Sequence, residues 1–275
     1  MSAPDIAASA SSSSATRPVG DLLRRWRQQR RYSQLALAFD AEISPKHLSF
    51  VESGRSRPSR EMVLRLAERL EVPLRERNTL LLAAGFAPAF REQTMQDPDL
   101  ASVRQAVDLV LAGHAPYPAL AVDRHWVLVS ANKGVAPLLT GASPELLAAP
   151  VNVLRLALHP GGLAPRIVNL VEWRMHLLAR LQRQAEQSAD PALSGLLAEL
   201  RGYAGASART LRGSDEGPAS HLIVPLRLKA ADSVLSFIST TMVFGTPLDV
   251  TSSELAIESF FPADEATARA FRDVQ

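Results

Sequence analysis

The stretch SQLALAFDAEISPKHLSFVESGRSRPSREMVLRLAERL, residues 33–70, decides the fold of the first part of this chain. Ser33 ahead of Gln34 reads as a helix cap, because a serine oxygen can accept from the backbone N–H groups left free at a helix start. Ser44 followed by Pro45 marks a second start, with proline at the first helical position, where its missing N–H does no harm. Gly54 supplies a left-handed stop. Pro58-Ser59 then opens a segment in which Met62, Val63, Leu66, Ala67 and Leu70 recur at the helical period. The spacing predicts helices over 34–41, from 45 to 52 or 53, and up to about 70. Upstream, Leu22, Leu23, Trp26 and Arg27 share one face of a helix over 20–31. Downstream, Pro73 and LRERNTLLLAAGF form a fifth helix, closed by Gly85 and Pro88. Residues 17–90 are therefore expected as an all-α, five-helix unit.

Only Glu42 and Ile43 separate the second helix from the third, the spacing of a helix-turn-helix whose second member lies in the DNA major groove. Leu35, Ala38, Ile43, Leu48 and Val51 are expected to pack the two helices together. That leaves Pro45, Lys46, Ser49 and Phe50 projecting outward, with Ser44 and His47 beside them at the helix start. Lys46 can donate to guanine, Ser49 can meet several base edges, and Phe50 can contact a thymine methyl. Gln34 is placed to grip a phosphate with its side chain and the free N–H groups of its helix start. Arg55 and Arg57 are placed for phosphates on the flank. Charge agrees with this reading, although a basic helix face can also be plain solvated surface. Residues 17–60 hold ten Lys/Arg against four Asp/Glu, while residues 93–275 hold 15 against 18, within a chain of net charge +2.

Composition removes several classes of function. With no cysteine among 275 residues there is no disulfide framework, thiol nucleophile or thiolate metal site. No run of about 18 apolar residues suggests a transmembrane helix. The opening MSAPDIAASASSSSAT, residues 1–16, lacks the basic and apolar regions of a secretory signal and reads as a disordered tail on a cytoplasmic protein. HExxH, GxxxxGK[ST] and GxGxxG are all missing, and the nearest approach to a nucleophile elbow, GASAR at 205–209, ends in Arg instead of Gly. The six histidines are scattered. The expectation is a non-enzyme with no catalytic residues, no cofactor and no metal.

Beyond a polar junction at 90–98 the texture changes. A helix is expected over 99–112. PALAVD (118–123) and WVLVSA (126–131), parted by Arg124 and His125, read as a hairpin. Helix returns at 132–139, and residues 153–158 form an apolar run. Long helices are expected over 165–187 and 191–201, strands over 221–228 and 233–244, and helices over 254–259 and 264–272. Strands interspersed with helices in this order indicate an α+β domain with an antiparallel sheet.

Residues 33–70 resemble the XRE-type (Cro/C1-like) helix-turn-helix family. The likeness lies in the Gln that opens helix two and in the run Leu48, Ser49, Glu52, Gly54, Pro58, Ser59. It implies a lambda-repressor-like DNA-binding domain over 17–90. The family's turn usually carries Gly where this chain has Glu42, which a left-handed conformation would disfavour by roughly 1 kcal/mol. The second part resembles the MmyB-like regulator ligand-binding domain, through PALAVDRHWVLVSAN (118–132), NVLRLALHP (152–160), RIVNLVEWR (166–174) and FGTPLDVTSSELAIESFFPAD (244–264). That resemblance implies a PAS-like sensor over 95–275 that encloses a small apolar or fatty-acid-like ligand.

Val122, Val127, Val129, Leu154, Leu156, Ile167, Leu170, Ile223, Leu226 and Phe237 could wall such a site, or could simply be core. Asn132, Arg155, His159, Arg166, Asn169 and Arg174 could supply polar anchors. Arg155, between Leu154 and Leu156, is either paired with an acid or open to a ligand carboxylate. The whole reads as a bacterial transcription regulator, a homodimer on a palindromic double-stranded operator that responds to a small hydrophobic ligand and makes no membrane contact. Two alternatives are a ligand-free dimerisation or docking platform, and a catalytic effector domain.

Overall fold

In a computed structural model of the chain, residues 18–203, 223–230, 233–244 and 249–272 are described. The expected tail at 1–16 and the GASAR segment at 205–209 lie outside them. The contacts divide the chain into two compact units, Met1–Ala89 and Phe90–Gln275.

The first unit contains α1 (Val19–Gln29), α2 (Gln34–Asp40), α3 (Pro45–Glu52), α4 (Arg60–Arg69) and α5 (Leu74–Ala83). Three serines cap it as the sequence predicts: the hydroxyls of Ser33, Ser44 and Ser59 accept from the N–H groups of Ala36, His47 and Met62. Leu23, Leu37, Leu48, Val51, Leu66 and Leu70 are fully buried in one core. Leu35 differs from expectation. It lies 67% exposed on the outer side of α2, one turn before Phe39 at 85%. Leu37 takes the inner face beside Ala38, which is buried as expected, while Leu35 turns outward. Glu42 does take the left-handed conformation, with φ 54°. Gly20 is indispensable for a different reason, since a Cβ there would stand 2.4 Å from the Val51 carbonyl oxygen where α1 crosses α3.

The second unit comprises α6 (Ala101–Gly113), β1 (Ala119–Val122), β2 (Leu128–Ala131), α7 (Pro144–Leu147), α8 (Val153–Leu158), α9 (Leu170–Ser188), α10 (Pro191–Gly202), β3 (Leu226–Ala230), β4 (Ser233–Val243), α11 (Val250–Ser253), β5 (Ala256–Pro262) and α12 (Glu265–Arg272). The strands form one antiparallel sheet in the order β2-β1-β5-β4-β3. The segment read as a polar junction is bonded to this unit at its start. Val250 N–H donates to the Arg91 carbonyl at 2.9 Å, and Gln93 N–H donates to Thr251 Oγ1 at 3.2 Å.

Three local expectations are corrected. Residues 254–259, read as helical, instead enter β5, the central strand; in AIESFFP the side chains alternate along a strand, Ile257 to one face and Glu258 to the other. The long helix begins at Leu170 instead of 165, because Ile167 and Val168 are drawn to β3: Ile167 bridges to Leu228, and Val168 N–H donates to the Arg227 carbonyl. Residues 133–139 form a 3-10 helix with Pro137 inside it.

The two sheet faces carry different cores. On one, Ala119, Ala121 and Ile257 pack with Val107 and Leu111 of α6. On the other, the larger cluster joins Leu154 and Leu158 of α8, Trp173, Leu177 and Leu181 of α9, Leu193 to Leu200 of α10, and Leu226, Leu228, Leu235 and Phe237 of the sheet.

Candidate DNA interface and ligand cavity

The start of α3 is the exposed end of the first unit's helix-turn-helix. Ser44, Pro45 and Lys46 are exposed, and His47, Ser49 and Phe50 are partly so. Arg55 and Arg57 are exposed just beyond the helix. Lys46 Nζ and Arg55 Cζ lie 5.7 and 5.9 Å from the centre of the Phe50 ring, so an aromatic face sits between two cations.

This surface is held from behind by a buried ion pair. Arg27 of α1 meets Glu52 of α3 through two bonds, Nε to Oε1 at 2.6 Å and Nη2 to Oε2 at 2.9 Å. Arg27 Nη1 also donates to the Tyr32 carbonyl at 2.9 Å. Burial alone would raise the Glu52 pKa, but the hydrogen bonds from Arg27 and Gln34 and the charges of Arg27 and Arg24 outweigh it. The carboxyl is thereby held below its ordinary range. Gln34, expected to grip phosphate, has its side-chain amide committed to Glu52 Oε2 at 2.8 Å. Its side chain therefore braces α3 with one amide N–H, and the second amide N–H remains beside the backbone N–H groups at the start of α2.

The second unit contains a partly open cavity of about 330 Å³ between the sheet and α7, α8 and α9. Its walls are apolar, with Leu120, Leu128, Phe260 and Leu226 from the sheet, Val153, Leu154 and Ala157 from α8, Trp173 and Leu177 from α9, and Trp126 from the hairpin turn. Cross-strand register places the polar wall. Glu258 of β5 sits opposite Leu120 of β1 and Thr241 of β4, and Ser239 sits opposite Phe260. Directly opposed residues share a sheet face, and of this row Leu120, Glu258, Ser239 and Phe260 line the cavity while Thr241 is exposed beside it. Arg180, from α9, closes the wall by donating to both Glu258 oxygens, Nη2 to Oε1 at 2.6 Å and Nη1 to Oε2 at 3.0 Å. Thr241 Oγ1 donates to the same carboxylate at 3.0 Å. The guanidinium also lies over the Trp126 ring, 4.5 Å from its centre.

Most of the anchors expected from sequence have other employment. Leu154, Leu156, Ile167 and Leu226 line the cavity, whereas Val122 and Phe237 belong to the packed core beside it. Leu170 packs against that core, Val127 bridges to Asn152, Val129 joins the cluster under α6, and Ile223 is exposed. Asn132 serves the backbone, bonding Ala119 N–H and the Leu111 and Tyr117 carbonyls. Arg166 binds the carbonyls of Leu138, Thr140 and Lys229, Asn169 bonds Pro225 and Arg227, and Arg174 binds those of Leu200 and Arg201. His159 accepts from Gly161 N–H and meets the Tyr203 ring edge-on.

Arg155 resolves to the structural alternative. It is paired with Glu199 through three contacts of 2.7 to 3.1 Å, Glu199 also accepts from the Tyr203 hydroxyl, and Arg155 does not line the cavity. That hydroxyl is pushed up to about 12 by burial and by the neighbouring carboxylate.

Sequence reading missed Arg180, Glu258 and Ser239. Arg180 was findable, because Trp173, Leu177, Arg180 and Gln184 recur every three or four residues on α9, and Gln184 accepts from the Trp126 indole N–H. An arginine in that stripe is a charge on an inward face. Glu258 was hidden by the misread strand.

The arrangement can present a basic, aromatic-bearing helix start to DNA and enclose one small apolar molecule. Among the described residues no group of three or more His, Asp or Glu could hold a metal, and no helix is long and apolar enough to cross a membrane. These units define a DNA-binding transcription regulator. The second unit matches the family described as MmyB-like transcription regulator ligand binding domain over residues 103–273, and this chain belongs to that family. Residues 23–77 match the helix-turn-helix family. Both are regulator domains, which points to a non-enzyme. Comparison with curated proteins gave no match.

Proposed function

We propose that this regulator reads a palindromic operator as a homodimer in the cytoplasm. In this reading the start of α3 lies in the major groove, and occupation of the cavity in the second unit by one small apolar chain changes operator affinity. The observation that carries it is the cavity itself, about 330 Å³ lined mainly by Leu, Val, Phe and Trp side chains. A hollow of that kind is of ligand size and costs stability unless something fills it. Lys46, Ser49 and Phe50 are the base-reading side chains. Ser44, Pro45 and His47 shape the helix start, and Arg55 and Arg57 take flanking phosphates. Pairing of two copies doubles the few base pairs that one recognition helix can reach.

Regulation further requires that the ligand favour one of two conformations of the dimer. The test is an operator titration of the full chain at fixed salt, with and without small molecules extracted from the native protein and identified by mass spectrometry. The expected result is one apolar molecule per chain and a shift in operator affinity when it is added back. A protein that yields none, and whose operator binding is the same after delipidation, defeats the sensor reading.

A further inference from the structure

The polar wall of the cavity is already charge-balanced. Arg180 is the cation among the lining residues, and it is tied through two nitrogens to Glu258, whose side chain is only 6% exposed. Glu258 cannot retreat to water to make room for another anion. It stands on the central strand, flanked by β1 and β4, and is pinned also by Thr241. An anionic head group at Arg180 would meet a fixed carboxylate at contact range in apolar surroundings, and displacing that carboxylate would leave a buried, unpaired charge.

What the wall does offer is neutral hydrogen bonding. Two nitrogens of Arg180 spend one N–H each on Glu258, and a guanidinium has five, so three remain. Ser239 lines the cavity on the same sheet face, diagonal to Glu258, and its hydroxyl bonds to none of the described residues. Donors without excess charge suit a carbonyl or hydroxyl oxygen.

We propose that the cavity takes a single-chain amphiphile with an uncharged oxygen head, an alcohol, ester or amide, and discriminates against the carboxylate of equal length. The inference rests on the reading of this cavity as the ligand site, and it departs from the fatty-acid-like ligand that the sequence resemblance implies. Arg180 and Ser239 hold the head, while the tail lies among Trp173, Leu177 and the leucines of α8.

The experiment titrates the full chain with decanol, methyl decanoate and sodium decanoate, each below its aggregation threshold, at about pH 7.5, where the acid is ionised. Tryptophan emission is the readout, since Trp126 and Trp173 line the cavity and the third tryptophan, Trp26, belongs to the first unit. Decanol and methyl decanoate are expected to bind about ten-fold or more tighter than decanoate. Glu258→Gln should remove most of this preference by freeing the charge of Arg180, with decanoate gaining about ten-fold and decanol moving by less than about three-fold. Should that variant not fold, Ser239→Ala serves, with decanol weakened several-fold and decanoate unchanged.

Decanoate binding as tightly as decanol to the unaltered protein overturns the head-group assignment while leaving the ligand site standing. Decanol affinity untouched by Ser239→Ala also overturns it. No saturable change with any of the three, confirmed by calorimetry, removes the cavity as a ligand site and the inference with it.

Discussion

Each of the two units pairs a buried glutamate with an arginine, Glu52 with Arg27 and Glu258 with Arg180, and the surroundings of the two pairs differ. Around Arg27 and Glu52 everything is protein. All three guanidinium nitrogens are engaged, Gln34 adds a third bond to the carboxylate, and the neighbouring core of leucines and valines is closed. Around Arg180 and Glu258 one side is sheet and the other is open space. The same chemistry is a clamp in the first setting and part of a cavity wall in the second. Identity of the charged residues therefore says little about role, and the groups left unsatisfied around them say much.

The largest expected effect breaks the first pair. Glu52→Gln should cost the helical unit about 3 to 5 kcal/mol, because it leaves the buried Arg27 charge without its partner. Denaturant-dependent hydrogen exchange, read separately on peptides of the two units, should show the loss in α1 and α3 while the second unit is unchanged. The same pair predicts acid sensitivity. With the folded Glu52 pKa held below its unfolded value, the unfolded chain takes up the proton first. The pair's contribution is full above the ordinary glutamate pKa and is lost as pH falls through the depressed one. Stability of the first unit below about pH 4 should fall more steeply in the unaltered protein than in Glu52→Gln.

Enlarging one alanine in each unit sharpens the contrast. Ala67 is fully buried in the closed core, and Ala67→Leu should cost about 1 to 3 kcal/mol through overpacking. Ala157 lines the cavity, and Ala157→Leu should cost less than about 1 kcal/mol because space exists to receive it. It should nevertheless weaken uptake of the apolar ligand. Equal losses of stability at the two sites would mean that the cavity is closed in solution.

A smaller effect separates specificity from attachment within the first unit. Lys46→Ala should remove about 1 to 3 kcal/mol of discrimination between operator and altered operator. Arg55→Ala should weaken all sequences alike and reduce the salt slope of log affinity by about one. Titration of matched and mismatched duplexes over a range of salt measures both.

The units also differ in how far the sequence could be read. In the first, helix starts and stops are local chemistry, so Ser33, Ser44, Ser59 and Gly54 marked boundaries close to where they fall. The exception, Leu35, lies in a helix of seven residues, too short for periodicity to fix its inner face. In the second, the site depends on pairings across more than a hundred residues. Glu258 faces Leu120 only because β5 inserts beside β1, and nothing local announces that. Periodicity also misassigned 254–259, where a stretch of six residues between turns fits helix or strand equally well. Arg155 drew attention as a charge in an apolar run, but on α8 its neighbours in sequence point elsewhere, and it reaches outward to Glu199.

The placement of β5 bears on the order of events during synthesis. Strands β1 and β2 form one hairpin, β3 and β4 another, and in the sheet they are hydrogen-bonded to each other only through β5, which follows both in the chain. An isolated hairpin is marginal in water, so a nascent chain that has passed β4 holds two fragments with bare edges and no enclosed cavity. The helical unit, whose last helix ends at Ala83, well before β4 ends at Val243, can fold at the ribosome in the meantime. A newly made chain would therefore be able to meet DNA before its second unit has a cavity to fill, and the addition of β5 brings the two hairpins into one sheet.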